Sequence, residues 1–328
     1  MKNIKMSKIK IHIPRINVGG CNKLYTEMLL EKFELVDNPD DANYILAWKG
    51  FPWPTNYLNQ VDLSKVLFFQ DEPLLTKHRI WLAERYDKFH SVFCLNPDQT
   101  KQNQFQISNN PLGFPYQSYY LGKIREDTKI SSERRLFYAG WNKPEQFRII
   151  RPDLKVINLI DVREKVITEI HKTYPNSTIL GPNWSFAGKT AETNTSAPEK
   201  CIQKAKDIEN CKADFVLCLE NSMFENYIAD KIHDGLRSDR VMLYLGAPNI
   251  EKYVPLNCFI DLRPYFNKET MEFDVQGMLN RIKTITQEEY DKIIENSRKF
   301  REIKQDGPVQ RKALTDFVIR RIKQLEIK

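Results

Sequence analysis

The chain has 328 residues, of which 41% are hydrophobic and 28% charged, with a net charge of +7. That is enough for two ordinary domains with their own cores, in the composition range of a soluble globular protein. No run approaches the roughly 18–20 apolar residues that cross a bilayer. Ten Lys/Arg against four Asp/Glu fall in residues 298–328, so the basic character belongs to a C-terminal tail and no nucleic-acid partner is expected.

In chain order, Lys8–Ile13 reads as a strand and Leu24–Phe33 as a helix. Tyr44–Trp48, Val66–Phe69 and Ser91–Leu95 read as further strands. This alternation predicts βαβ units and a parallel sheet. Residues 97–132 are polar and aperiodic, and read as long loops and a linker. The pattern restarts with a strand at Leu136–Trp141, a helix at Arg163–Thr173 and a strand at Thr178–Leu180. A helix at Ala197–Lys206, a strand at Phe215–Leu219 and a helix at Tyr227–Leu236 follow. Strands at Val241–Leu245 and Cys258–Leu262 come next, then helices at Gln287–Arg301 and Val309–Leu325. The expected class is α/β, with a first domain and linker over 1–132, a second domain over 133–305 and a basic C-terminal helix over 306–328. Two Rossmann-type domains facing a cleft suit a nucleotide ligand, which binds beyond the carboxyl ends of the strands.

Six cysteines (Cys21, Cys94, Cys201, Cys211, Cys218 and Cys258) form no CxxC pair, and the five histidines show no ligand spacing. Buried free thiols and no metal site are expected. The N-terminal MKNIKMSKIKIHIP has no sustained apolar core of a signal peptide. The expectation is a cytoplasmic protein of bacterial or viral origin.

The densest chemistry lies in FVLCLENSMFENYIADK, residues 215–231. A buried-type strand ends in the polar turn Glu220-Asn221-Ser222, and a helix is expected from about Glu225 or Asn226. A strand feeding a helix N-terminus presents free N–H groups and the positive end of a dipole to an anion. On such a helix Tyr227, Asp230 and Lys231 would share one face.

Residues 215–263 resemble the donor-binding motif of the α1,3-fucosyltransferases, glycosyltransferase family 10. The matching pieces are Leu219-Glu220-Asn221-Ser222, Tyr227-Ile228-Ala229-Asp230-Lys231, Val241–Gly246, and Pro255 ahead of Cys258-Phe259-Ile260-Asp261. The match covers about 50 residues in order and spacing. It departs from the motif at Leu219 (usually Phe), Ala229 (usually Thr) and Asp230 (usually Glu). The resemblance implies a GT-B fold with the acceptor domain first. It also implies metal-independent, inverting transfer of L-fucose from GDP-fucose to a glycan hydroxyl, often on GlcNAc, with no cofactor. Asp230, one methylene shorter than Glu, leaves open a transferase using another nucleotide sugar. A nucleotide- or glycan-binding protein without turnover is the remaining alternative.

On that resemblance the donor-binding candidates are Arg163, Asn221, Tyr227, Asp230 and Lys231, with Arg148 the rival to Arg163. Departing GDP is an anion, so without a metal its charge falls to cations and N–H groups. Lys231 is the best phosphate cation, and an arginine fork suits bidentate contact. Asp230 would accept hydrogen bonds from sugar hydroxyls. Glu72, in KVLFFQDEP, is the candidate catalytic base, with Asp71 the fallback. Trp48 and Trp53, in an aromatic, Pro-rich loop, and His78 are acceptor-side candidates. The basic tail helix either docks on the body or makes peripheral contact with anionic membrane.

Overall fold

The computed structural model describes residues 9–13, 33–48, 57, 59–70, 83–94, 100–102, 104–106, 125, 127–143, 156–184, 186, 204 and 206–303. Contacts divide the chain into two units, Met1–Asn109 with Arg311–Lys328, and Asn110–Gln310.

The first unit carries a six-stranded sheet built from β1 (Lys10–His12), β2 (Glu34–Leu35), β3 (Tyr44–Trp48), β4 (Val66–Gln70), β5 (Ser91–Cys94) and β6 (Gln104–Gln106). The order is β2-β1-β3-β4-β5-β6, with every pair parallel. The apolar strands form where expected because they are buried, with Ala47, Val66, Phe68 and Val92 all at 0% exposure. Phe68 stacks on Phe89 at 5.2 Å between ring centroids. β6 corrects the expectation of loop throughout 97–132. Gln104 and Phe105 pair with Val92 and Phe93, so an edge strand forms by hydrogen bonding without an apolar run of its own. The helix expected at Leu24–Phe33 lies outside the described residues, except for buried Phe33.

The second unit has a five-stranded parallel sheet in the order β13-β12-β10-β7-β9. Its strands are β7 (Leu136–Ala139), β9 (Thr178–Leu180), β10 (Phe215–Leu219), β12 (Val241–Leu245) and β13 (Phe259–Asp261). β10 and β12 are buried along their whole lengths, as continuous apolar runs covered on both faces must be. Side chains alternate along β10. Phe215, Leu217 and Leu219 join the core under α1 (Ile160–Thr173), α3 (Val275–Thr284) and α4 (Gln287–Ile303). Val216 and Cys218 join Ile232 and Leu236 of α2 (Asp230–Ser238) on the other face. Among its described residues the unit also has two short antiparallel pairs: β8 (Ile157–Asn158) with β11 (Ser222–Met223), and β14 (Phe266–Asn267) with β15 (Glu272–Phe273).

The described residues from Arg125 onward, expected to be linker, are tied into the second unit. Thr128 Oγ1 donates to Asp291 at 2.6 Å, and the Arg125 N–H donates to Asp239 at 2.7 Å. Asp239 closes α2 in the left-handed region, φ 55°, and also receives Arg298 and Arg301 at 2.5 and 2.7 Å. Burial works to raise its pKa, but the Arg298 hydrogen bonds, the Arg125 N–H and the charges of Arg301 and Arg298 outweigh it and hold the carboxyl below its usual range. Helix α2 begins at Asp230, later than the Tyr227 start read from periodicity. The closing helix expected at Val309–Leu325 lies outside the described residues. No helix among the described residues is long and apolar enough to cross a membrane.

Candidate functional site

The strand order of the second sheet reverses at β7: β9 lies on one side of it and β10 on the other. In doubly wound sheets ligands bind at the carboxyl ends of the strands flanking such a reversal. Here those ends are Gly140-Trp141, after β7, and Glu220-Asn221, after β10.

Arg163 joins the two. It sits near the start of α1 and is 2% exposed. Its Nη2 donates to the Trp141 carbonyl at 2.7 Å, and its Nη1 donates to Asn221 Oδ1. The guanidinium lies 5.9 Å from the Tyr138 ring centroid, in cation–π range. A planar fork reaches two acceptors that a single ammonium could not hold together. Asn221 passes the network on, its Nδ2 donating to the Tyr227 hydroxyl at 3.1 Å. Tyr227 is itself buried and stacks on Phe224 at 5.2 Å. The Asn221 carbonyl accepts the Leu159 N–H at 3.0 Å, so the turn also anchors the approach to α1.

Glu220 adjoins this network and is 0% exposed. Its Oε1 accepts the N–H of Ala229, the residue before α2, at 2.8 Å. Its Oε2 lies 3.5 Å from the Lys231 ammonium on the first turn of α2. An internal carboxylate thus stands at the positive end of the helix, where dipole and donor both favour an anion. The carboxylate needs Gly246 beside it: a Cβ there would lie 2.5 Å from both Glu220 Cγ and the Tyr244 hydroxyl. Burial first, then the Glu220 charge, pushes the Tyr244 phenol well above its usual range.

The turn before α2 has its own clamp. Asn226 takes the left-handed conformation, φ 64°. Its N–H donates to Asn249 Oδ1 at 3.0 Å, while its Oδ1 accepts from Asn249 Nδ2 at 2.8 Å and from the Tyr253 hydroxyl at 2.6 Å. Burial and the Glu225 charge push Tyr253 up to about 12. A left-handed residue interrupts a helix, which is why α2 cannot start at 225 or 226. Tyr227 therefore precedes the helix, and the shared helical face of Tyr227, Asp230 and Lys231 does not exist. Tyr227 reaches Asn221 from the turn instead.

Of the residues singled out from sequence, Arg163, Asn221, Tyr227 and Lys231 gather at this end of the sheet. Asp230 is the first residue of α2, and its side chain lies outside the described residues. Glu72, Asp71, Trp53, His78 and Arg148 also lie outside them. Trp48 ends β3 in the first unit, and only its backbone is described. Sequence reasoning missed Glu220 as a functional side chain, and missed Asn249 and Tyr253 as the clamp. The signal for Glu220 was its place directly after a fully apolar strand; Asn249 and Tyr253 carried no local signal. Among the described residues no cluster of His, Cys, Asp or Glu could hold a metal ion.

Residues 161–295 match the model of "Glycosyltransferase family 10 (fucosyltransferase) C-term". The chain resembles glycosyltransferase family 10. An alpha-(1,4)-fucosyltransferase of Arabidopsis thaliana is 40% identical over 47 residues, 14% of this chain and 12% of that protein. A GDP-fucose protein O-fucosyltransferase 3 of Xenopus tropicalis is 42% identical over 43 residues, 13% of this chain and 9% of that protein. These matches thus span about a tenth of the relatives' own lengths. A solved α1,3-fucosyltransferase with GDP aligns over 90% of this chain and 83% of its own, with TM-score 0.53 and 13% identity. Another crystal structure of an α1,3-fucosyltransferase aligns over the same shares, with TM-score 0.55 and 13% identity. At that identity the likeness speaks to fold, and the expected class holds: α/β of GT-B type, with two Rossmann-like parallel sheets.

Proposed function

We propose that the chain is a glycosyltransferase that moves L-fucose from GDP-fucose to a glycan hydroxyl with inversion and without a metal. The observation carrying this reading is the buried network Arg163–Asn221–Tyr227, beside Glu220–Lys231, whose residues all lie within the segment 161–295 that matches family 10. In this reading Lys231, at the opening turn of α2, meets the diphosphate as the bond to the sugar breaks. A cation preorganised there lowers the barrier by stabilising charge that grows in the transition state. Arg163, committed at both terminal nitrogens, supports the site through Asn221 by fixing the two loops. Asp230 meets sugar hydroxyls, and Glu72 takes the acceptor proton. Trp48, Trp53 and His78 are proposed to serve the acceptor.

The test is transfer from GDP-fucose to a panel of GlcNAc-containing and other glycans, read by product mass. A gain of one deoxyhexose with release of GDP is expected, and Glu72→Gln should abolish transfer while leaving GDP binding intact. Thermal stabilisation by UDP-sugars but not by GDP or GDP-fucose would overturn the donor assignment. A GDP-fucose-binding chain with no transfer to any acceptor would favour a binding protein.

A further inference from the structure

The Glu220 carboxylate does two things at once. One oxygen holds the N–H of Ala229 at 2.8 Å, and the other faces the Lys231 ammonium at 3.5 Å. The Glu220 side chain is wholly buried and that of Lys231 is 10% exposed. The chain spends a glycine to admit the carboxylate, since any Cβ at Gly246 would strike Glu220 Cγ. A carboxylate hidden this deeply at the mouth of a site for a diphosphate repels the ligand if it faces it. It serves the ligand through the groups it holds, the Ala229 N–H and the Lys231 ammonium.

We propose that Glu220 is a positioning residue: its carboxylate fixes the opening turn of α2 and holds the Lys231 ammonium charged and aimed at the diphosphate, without itself touching the donor. This inference rests on the donor reading above. A nearly buried lysine without a counter-charge releases its proton at a lower pH than a solvated one, because a low-dielectric surrounding disfavours the charged form. Glu220 offsets that cost before the nucleotide arrives. Other groups around α2 have partners of their own. Cys218 on β10 donates to the Lys231 carbonyl at 3.1 Å, and Asp234 pairs with Lys204 at 2.9 Å. Asp239 is held by Arg298 and Arg301, and Tyr244 on β12 receives the Ala247 N–H at 2.9 Å. His233 on α2 is buried, so the measurement belongs above about pH 7.5, where an ordinary imidazole has finished titrating.

The experiment is GDP affinity of the full chain between about pH 7.5 and 9, with the wild type as the reference for titration of GDP itself. Glu220→Gln keeps an acceptor for the Ala229 N–H but removes the charge. Its affinity should fall about tenfold further than the wild type's across that range, as Lys231 loses its proton. Adding Lys231→Arg to Glu220→Gln should flatten the profile, since a guanidinium stays charged. A second measurement needs no variant: calorimetry of GDP binding to the wild type at about pH 8.5, in buffers of different ionisation enthalpy, should show no proton uptake. A Glu220→Gln profile parallel to the wild type's, or uptake of a proton by the wild type, overturns the inference alone. Failure of the wild type to bind GDP overturns the donor reading and this inference with it.

Discussion

The two parallel sheets reverse their strand order in the same way, and they differ in what stands at the reversal. In the first unit β2 and β3 flank β1, and in the second β9 and β10 flank β7. At the first reversal the last residue of β1 is His12, 7% exposed, with Nδ1 3.0 Å from the Val36 carbonyl and its ring 6.3 Å from Tyr57. Among the described residues His12 thus makes one hydrogen bond to the neighbouring edge and one aromatic contact, as a packing residue does. At the second, a buried arginine ties the ends of two strands and passes the link to a tyrosine. The two sheets share the reversal, and among the described residues charge and donors converge at the second. Topology places a site; side chains decide whether anything binds there.

The largest expected effect comes from breaking the bridge. Arg163→Leu removes two charge-assisted hydrogen bonds and leaves Asn221 Oδ1 and the Trp141 carbonyl without that donor. A loss of about 3 kcal/mol in unfolding free energy is expected, with GDP affinity down at least about tenfold, measured by denaturant titration and by calorimetry. Arg163→Lys should recover less than half of either loss, because one nitrogen cannot serve both acceptors. His12→Phe in the first unit should cost about 1 kcal/mol or less and leave GDP affinity unchanged. Equal effects at the two positions would erase the contrast between the sheets.

Much of this was legible because apolar runs bounded by turn residues define strands well. Tyr44–Trp48, Thr178–Leu180, Phe215–Leu219 and Val241–Leu245 form with the bounds their composition predicts. The start of α2 was not legible. The left-handed Asn226 is held by Asn249 and Tyr253, more than twenty residues away, and no local period reports such a partner. Helix α3 went unread although Asp274 caps it, accepting the Gly277 N–H at 2.8 Å, because Gly277 weakens its helical pattern. Asn221, Tyr227 and Lys231 were singled out through the motif and its spacing, and Arg163 through its place at the start of a helix. Glu220 was read as a polar turn residue. Its burial depends on the glycine of the adjacent strand end, a relation that appears only when β10 and β12 pair from Phe215↔Val241 to Leu219↔Leu245.

A smaller effect probes that relation. Gly246→Ala places a methyl 2.5 Å from Glu220 Cγ and from the Tyr244 hydroxyl. Neither neighbour yields readily: Glu220 is tethered to Ala229, and Tyr244 to Ala247. A cost of about 1–3 kcal/mol is expected from overpacking, together with weaker GDP binding because Glu220 must shift. Full GDP affinity in a destabilised Gly246→Ala variant would separate the packing of this strand end from its chemistry.

The smallest effect tests whether the network matters beyond its arginine. Tyr227→Phe deletes one hydroxyl and keeps the ring stacked on Phe224, 7° from parallel. The lost hydrogen bond to Asn221 is neutral on both sides, so the stability cost should be about 1 kcal/mol. Asn221 keeps its bond from Arg163 but loses the partner that fixes its amide group from the other side. With that hold gone, GDP affinity should fall by a few-fold. A phenylalanine variant that binds GDP as the wild type does would confine the working part of the site to Arg163, Asn221 and Lys231. The tyrosine would then be part of the wall, closer in role to His12 of the first sheet than to the arginine of the second.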